Sequence, residues 1–210
     1  MRPRSSRRCG TCSSDVLGQV PDEARRGNQR LPRRTLSEEA SVFAGANHIC
    51  IVTADLDGAV RRWWDRYRVG PWRVFTYDRS NMEATMDGEP VDFEMRAALA
   101  QLGPAFRIEI IQPLDDRSLY AASLRQSGGA DHIHHVRLDV SDFAGARNKL
   151  GALGLEVRFD ATFRGGSPDG DRVRGMYFDA RDDLGFLLEI AEAPPGFSMP
   201  QPDYVYPPEA

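Results

Sequence analysis

Residues 47–53 alternate in a way that suits a strand. His48, Cys50 and Val52 fall on one face, and Ile49, Ile51 and Thr53 fall on the other. The period then changes. Leu56, Val60, Trp63 and Tyr67 recur at helical spacing, with Asp55 placed to cap the helix and Val69-Gly70-Pro71 placed to end it. Strands are expected near 72–78, 91–99 and 106–112. The same order then returns. A strand over 134–140 puts His135, Arg137 and Asp139 on one face and Val136, Leu138 and Val140 on the other. A helix from about Asp142 to Leu153 carries Phe143, Ala146, Leu150 and Leu153 as its apolar stripe, and Gly154 can terminate it. Strands follow at 155–160, 173–179 and 185–191. The pattern predicts two β-α-β-β-β units and an α+β fold.

The duplication is also written in residue identities. Residues 48–59 and 135–146 align without a gap and share His48/His135, Asp55/Asp142, Gly58/Gly145 and Ala59/Ala146. A second echo closes each copy, Phe106–Ile110 against Phe186–Ile190. Each copy therefore opens on a histidine and ends on a glutamate: His48 and Glu109, His135 and Glu189. In the closing strands Phe106, Ile108 and Ile110, and likewise Phe186, Leu188 and Ile190, pack under the helices. The period of two then leaves both histidines and both glutamates on the helix-free face. Two His and two Glu form a nitrogen-and-oxygen donor set for a divalent cation such as Co, Mn, Ni, Zn, Mg or Fe(II). A lone strand histidine is more often structural; two at equivalent repeat positions, each with a facing glutamate, favour ligation.

Around this site the sequence offers further candidates. Arg107 and Arg137 share the ligand face and are candidates for a substrate carboxylate or phosphate, or for a salt bridge to a neighbouring acid. Cys50 falls on the same face. Phe75, Tyr77, Phe93 and Met95 are candidates for an apolar pocket, with ordinary packing as the alternative. Trp63, Trp64 and Trp72 read as core or interface residues. His132 and His134 are not expected to be ligands, and His134 is expected on the helix-covered side or at a subunit seam.

Composition narrows the partners. Of 210 residues, 41% are hydrophobic and 28% charged, an ordinary globular balance. Residues 1–40 hold nine Arg against five acids, a surplus of +4; the remaining 18 basic and 26 acidic residues give the body −8. That acidic body argues against nucleic acid as a partner. No apolar run reaches the roughly 18 residues of a membrane span. Three cysteines make no disulfide framework; Cys9 and Cys12 lie in a basic tail with no readable strand or helix, and Cys50 is expected as a reduced thiol. The pattern suits a reducing cytoplasm. The expected organisation is a disordered basic tail over 1–45, a first module over 46–112, a linker over 113–130, a second module over 131–192 and a Pro-rich tail over 193–210. That last tail is expected to be extended, lying on its own body or on a partner, or else disordered.

The chain resembles the vicinal oxygen chelate superfamily, which includes glyoxalase I, extradiol dioxygenases, methylmalonyl-CoA epimerase and bleomycin-resistance proteins. The similarity covers about residues 46–192. It looks closest to the epimerase-like branch, on Ile108-Glu109-Ile110-Ile111-Gln112-Pro113-Leu114, Ser118-Leu119-Tyr120, Leu124 and His134-His135-Val136. The resemblance implies paired βαβββ modules forming a curved, cup-like mixed sheet with helices outside and a metal within. It places the metal on His48, Glu109, His135 and Glu189, with Glu109 where the epimerase branch often has glutamine. It implies an acid/base glutamate on the strand before Glu109, for which Glu94 is the nearest candidate, besides Glu109 and Glu189 themselves. It also implies a small-molecule substrate, an acyl-CoA among the candidates, and a homodimer. No residue set here matches a CoA nucleotide site, and the segment 73–90 is longer than the epimerase pattern. The expected reaction is metal-assisted proton transfer alpha to a carbonyl or thioester. A glyoxalase I-type lyase, an Fe(II) extradiol dioxygenase and a metal-free binding protein of the bleomycin-resistance kind are the alternatives.

Overall fold

The computed structural model describes residues 41–166 and 171–208. The expectations for residues 1–40, including Cys9 and Cys12, lie outside the described residues. The first unit comprises strand β1 (Gly45–Val52), helix α1 (Leu56–Tyr67), strands β2 (Trp72–Tyr77), β3 (Met82–Met86), β4 (Glu89–Pro90), β5 (Met95–Gln101) and β6 (Arg107–Pro113). Helix α2 (Leu119–Gln126) leads to the second: β7 (His132–Asp139), α3 (Phe143–Ala152), β8 (Val157–Arg164), β9 (Arg172–Asp179), the short α4 (Arg181–Leu184) and β10 (Leu187–Glu192). A last strand, β11 (Tyr204–Tyr206), closes the chain.

All eleven strands form one mixed sheet in the order β11-β2-β5-β6-β1-β7-β10-β9-β8-β3-β4. The modules meet where β1 and β7 pair antiparallel, and within each module the first strand pairs parallel with the last. β2 and β3 are near opposite ends of this order, yet only residues 78–81 separate them. Four residues span about 13 Å at most, so the sheet must curl until its ends approach. Tyr77 on β2 and Phe163 on β8 accordingly touch, ring centroids 5.7 Å apart.

The repeat explains the helix starts. Asp55 and Asp142 cap α1 and α3, each accepting from the glycine N–H three residues on at 2.9 Å. Any Cβ at Gly58 or Gly145 would collide with the capping carboxylate, which is why both copies keep glycine there. Each helix covers the outer face of its module: Leu56, Ala59 and Val60 pack on Trp72, Val74, Ile108 and Ile110, and Phe143, Ala146 and Leu150 pack on Met176, Phe178, Leu188 and Ile190. A third apolar cluster fills the concave side, with Cys50, Val52, Tyr77, Met95, Ile111, Tyr120, Phe159 and Tyr177 among its members. Polar groups can be held at high cost in such a place, so those found there need partners.

One feature was not expected, and a second is one of the placements expected for the C-terminal tail. β3, inside the long 73–90 segment, crosses to pair with β8 of the second module. β11 adds to β2, seating part of the Pro-rich tail on the body, where Tyr204 contacts Asp57 and Arg96. At the other end, Val42 and Phe43 of the expected tail lean on the α3 cluster.

Candidate metal centre

Register fixes the site. Arg107, His48, Arg137 and Glu189 form one lateral row across β6, β1, β7 and β10; Glu109, Cys50 and His135 form the next row inward. The Nε2 atoms of His48 and His135 are 3.3 Å apart. Oε2 of Glu189 lies 3.1 and 3.2 Å from them, and Oε2 of Glu109 lies 3.4 and 3.3 Å from them. Both histidines and Glu189 are buried. His48, His135 and Glu189 form one tight triad, and Glu109 joins His135 with Cys50 in an overlapping one.

These atoms do not satisfy one another. Glu189 Oε2 is buried and makes no hydrogen bond despite two imidazole nitrogens nearby. Donors aimed at a shared point rather than at each other are the mark of a cation site. Ligand atoms about 2.0–2.2 Å from one ion sit roughly 3.0 Å apart at right angles and roughly 3.4 Å apart when tetrahedral, and the five separations above span that interval. The residues fit a divalent cation. Charge agrees: two buried carboxylates would each cost several kcal/mol alone and together balance two positive charges.

Without a cation the cluster leans on protons instead. Burial pushes His135 toward the neutral form, but its contacts with Glu109 and Glu189 outweigh this and hold its pKa up at about 9. Burial would raise both carboxylates, yet the two histidines hold Glu189 and Glu109 below the usual range.

Two β-bulges complete the arrangement. The β1–β7 register shifts between Ala46 and His48, and again between Cys50 and Ile51. Asn47 and His134 are the extra residues at the two shifts, and each sits beside a ligand rather than on the opposite face. Asn47 Oδ1 lies 3.2 Å from His48 Nδ1, and His134 Nδ1 lies 3.0 Å from His135 Nδ1. Occupying each Nδ1 orients the ring and leaves Nε2 for the site. His134 is therefore not under α3: its ring meets Tyr120 of α2 on the concave side at 5.0 Å. Period-two reasoning could not find this, because a bulge breaks the period. His132 bonds Ser123 and the Ala130 carbonyl, outside the cluster.

An open pocket of about 660 Å³, part of it continuous with solvent, stands over the cluster. Tyr77, Met95, Phe159, Phe163 and Met199 form apolar walls, and Arg107 and Arg137 also line it. Of the other candidates, Phe75 and Phe93 are buried in the concave cluster without lining the pocket. Cys50 is fully buried beneath Glu109, and burial first, then Glu109, pushes its thiol well up, so it stays protonated behind the ligands. Glu94 is exposed outside the pocket. It shares parity with Arg96 and Ala98; the concave side of β5 carries Met95, Ala97 and Leu99 instead. Leu99 is the direct neighbour of Glu109. Tyr120 and Tyr177, not singled out as site residues in the sequence, line the pocket with hydroxyls 2.8 Å apart. Tyr177 also lies against His135, centroids 4.6 Å apart.

Two βαβββ modules thus form a cup whose concave face carries two His and two Glu. A sequence profile of the Glyoxalase/Bleomycin resistance protein/Dioxygenase superfamily matches residues 47–173, and the chain belongs to that superfamily. The matched span holds His48, Glu109 and His135 and stops short of Glu189. No curated protein matches the chain in sequence. Among solved structures, methylmalonyl-CoA epimerase from Mycobacterium tuberculosis is similar at 24% identity, over 78% of this chain and 95% of that one, with a TM-score of 0.51. A Streptomyces coelicolor methylmalonyl-CoA epimerase variant in complex with 2-nitronate-propionyl-CoA is similar at 18% identity, over 72% and 98%, with a TM-score of 0.53. A methylmalonyl-CoA epimerase in complex with methylmalonyl-CoA and NH4+ is similar at 17% identity, over 74% and 99%, with a TM-score of 0.53. At these identities the likeness shows the fold. Among the described residues no helix is long and apolar enough to cross a membrane.

Proposed function

We propose that this chain is a metal-dependent enzyme that moves a proton at the carbon next to a carbonyl, as an epimerase or isomerase. The observation that carries the reading is that His48 and His135 stand 3.3 Å apart on the floor of a pocket, each 3.1–3.4 Å from a carboxylate oxygen of Glu109 and of Glu189. Those four residues would hold a divalent ion, which when bound polarises a substrate carbonyl as a Lewis acid.

The chain's own groups supply the proton transfer. Glu189 turns Oε2 to the histidines and keeps Oε1 for the pocket, beside Gly175, where any Cβ would stand only 3.2 Å from that oxygen. Oε1 is the atom we assign to take the proton. Tyr120 and Tyr177 share one hydrogen bond between two hydroxyls, so one O–H hydrogen is left over. Burial holds both phenols well above their usual pKa, which makes the pair a donor and not a base. That hydrogen can be donated in a hydrogen bond to a substrate oxygen, while the burial that raises the phenols opposes its transfer as a proton. The aromatic walls exclude water and orient the apolar part of the substrate.

A second reading is favoured by one observation. The strand beside Glu109 presents Met95, Ala97 and Leu99 to the concave side, so among the described residues Glu109 and Glu189 are the only carboxylates lining the pocket. One base serving two adjacent carbons, as in a glyoxalase I-type lyase, needs no second acid. Solvent deuterium exchange separates the readings. Purified metal-loaded protein should exchange deuterium into the α-position of 2-substituted acyl-CoAs or α-hydroxy ketones, and Glu189→Gln should abolish it. Full exchange by Glu189→Gln defeats both readings; turnover of the methylglyoxal–glutathione hemithioacetal in place of the panel selects the second.

A further inference from the structure

Once a divalent ion is balanced by Glu109 and Glu189, the pocket retains two positive charges, Arg107 and Arg137, both on its wall. The register explains their position: they flank His48 on either side in the same lateral row. Arg107 is anchored, donating from Nη2 to Asn47 Oδ1 at 2.9 Å. Arg137 is less completely satisfied. Its Nε is buried and makes no hydrogen bond. Asp139 Oδ1 stands 3.9 Å from that Nε, and Glu189 Oε1 stands 4.0 Å from Nη1, both outside hydrogen-bond reach. Asp139 is partly exposed and already accepts from Asn47 Nδ2 at 2.9 Å.

A partly buried guanidinium with a buried, unused N–H is costly unless an acceptor arrives. Its planar fork matches a carboxylate, which can take two parallel hydrogen bonds. We propose that Arg107 and Arg137 form a carboxylate-binding subsite beside the metal cluster, and that the substrate is a small organic acid anion with an apolar or aromatic body. The acid group lies on the arginine row, and the body lies against Tyr77, Met95, Phe159 and Phe163. On this account recognition rests on the acid itself and not on a nucleotide handle. The proposal rests on the metal reading only for its charge balance.

The test is calorimetric binding of benzoylformate and of its methyl ester to the metal-loaded protein, with bound metal measured in every sample. The acid should bind roughly tenfold or more tightly than the ester. Arg137→Met, which keeps the apolar stem, and Arg107→Met should each erase most of that preference while metal content and Tm hold. Equal affinity for acid and ester overturns the proposal, as does no binding of either. So does an acid preference that survives in both variants, because the ion alone would then be reading the charge. Wild-type protein that binds no divalent ion would sink the metal reading instead; the acid-over-ester comparison and its loss in Arg137→Met would still decide this one.

Discussion

His134 Nδ1 lies 3.0 Å from His135 Nδ1, so a residue in a β-bulge holds the ring nitrogen that a ligand does not use. Burial first, then His135, keeps His134 well below its usual pKa, so it is neutral and can accept. Asn47 does the same for His48 one module earlier. Removing such a partner typically costs about 10–100-fold in metal affinity. His134→Ala should therefore bind metal that much more weakly, while still folding. Competition against a chelating dye measures it; unchanged affinity would mean that packing alone orients His135.

Gly175 is set by a neighbour, not by its backbone. A Cβ there would stand 3.2 Å from Glu189 Oε1, tight enough to push the carboxylate. Gly175→Ala is expected to lower kcat by roughly tenfold, about 1.4 kcal/mol at the barrier, with a much smaller loss of bound metal. Parallel kinetics and metal analysis check it, and equal losses in both would place the effect on the ligand atom Oε2.

Chelation should destabilise the fold. An ion present at about 100 times its Kd contributes roughly 2.7 kcal/mol to the native state. For a domain of this size that corresponds to about 5–11 °C in Tm. Differential scanning of the loaded and chelator-treated protein gives the value directly. A Tm indifferent to chelator and to added Co, Mn, Ni or Zn would contradict a site tuned for a cation.

The two capping glycines reverse a usual rule. Inside a helix Gly→Ala normally stabilises by up to about 1 kcal/mol. At Gly58 or Gly145 the new methyl would displace the Asp55 or Asp142 cap, worth about 1 kcal/mol. Each substitution should therefore forfeit the usual gain and leave stability unchanged or lower in denaturant titration, whereas Gly151→Ala, with open space at its Cβ, should stabilise.

The seat of β11 should weaken in acid. The Arg96 hydrogen bonds, opposed by partial burial and helped by Tyr204, hold the Asp57 carboxyl below its ordinary value. Its pKa is thus lower folded than unfolded, so its contribution is present above the unfolded value near 4 and is lost as pH falls through the folded one. The carboxyl is 42% exposed, which limits the effect to about 1 kcal/mol or less. The Tm gap between wild type and Asp57→Asn should be open at pH 6 and narrow as the pH falls below the ordinary carboxyl value; a gap independent of pH would assign the effect to packing of Tyr204.

Much of this was legible in the chain. Alternation and helical spacing are local properties, so the duplication in 48–59 and 135–146, the Asp55 and Asp142 caps and the ordering of strands and helices could be read directly. The same parity put His48, Glu109, His135 and Glu189 on the concave face, opposite α1 and α3. What parity cannot supply is a neighbour from a distant part of the chain. That β3 would leave its own module to pair with β8, that β11 would dock on β2, and that bulges would turn Asn47 and His134 toward the ligands all depend on register and on the curl of the sheet. So does the identity of the residues around the cluster: Leu99 lies next to Glu109, Glu94 points away, and Tyr120 meets Tyr177 from 57 residues along the chain. Periodicity tells a side chain which face to take; only the closed tertiary sheet decides what it meets there.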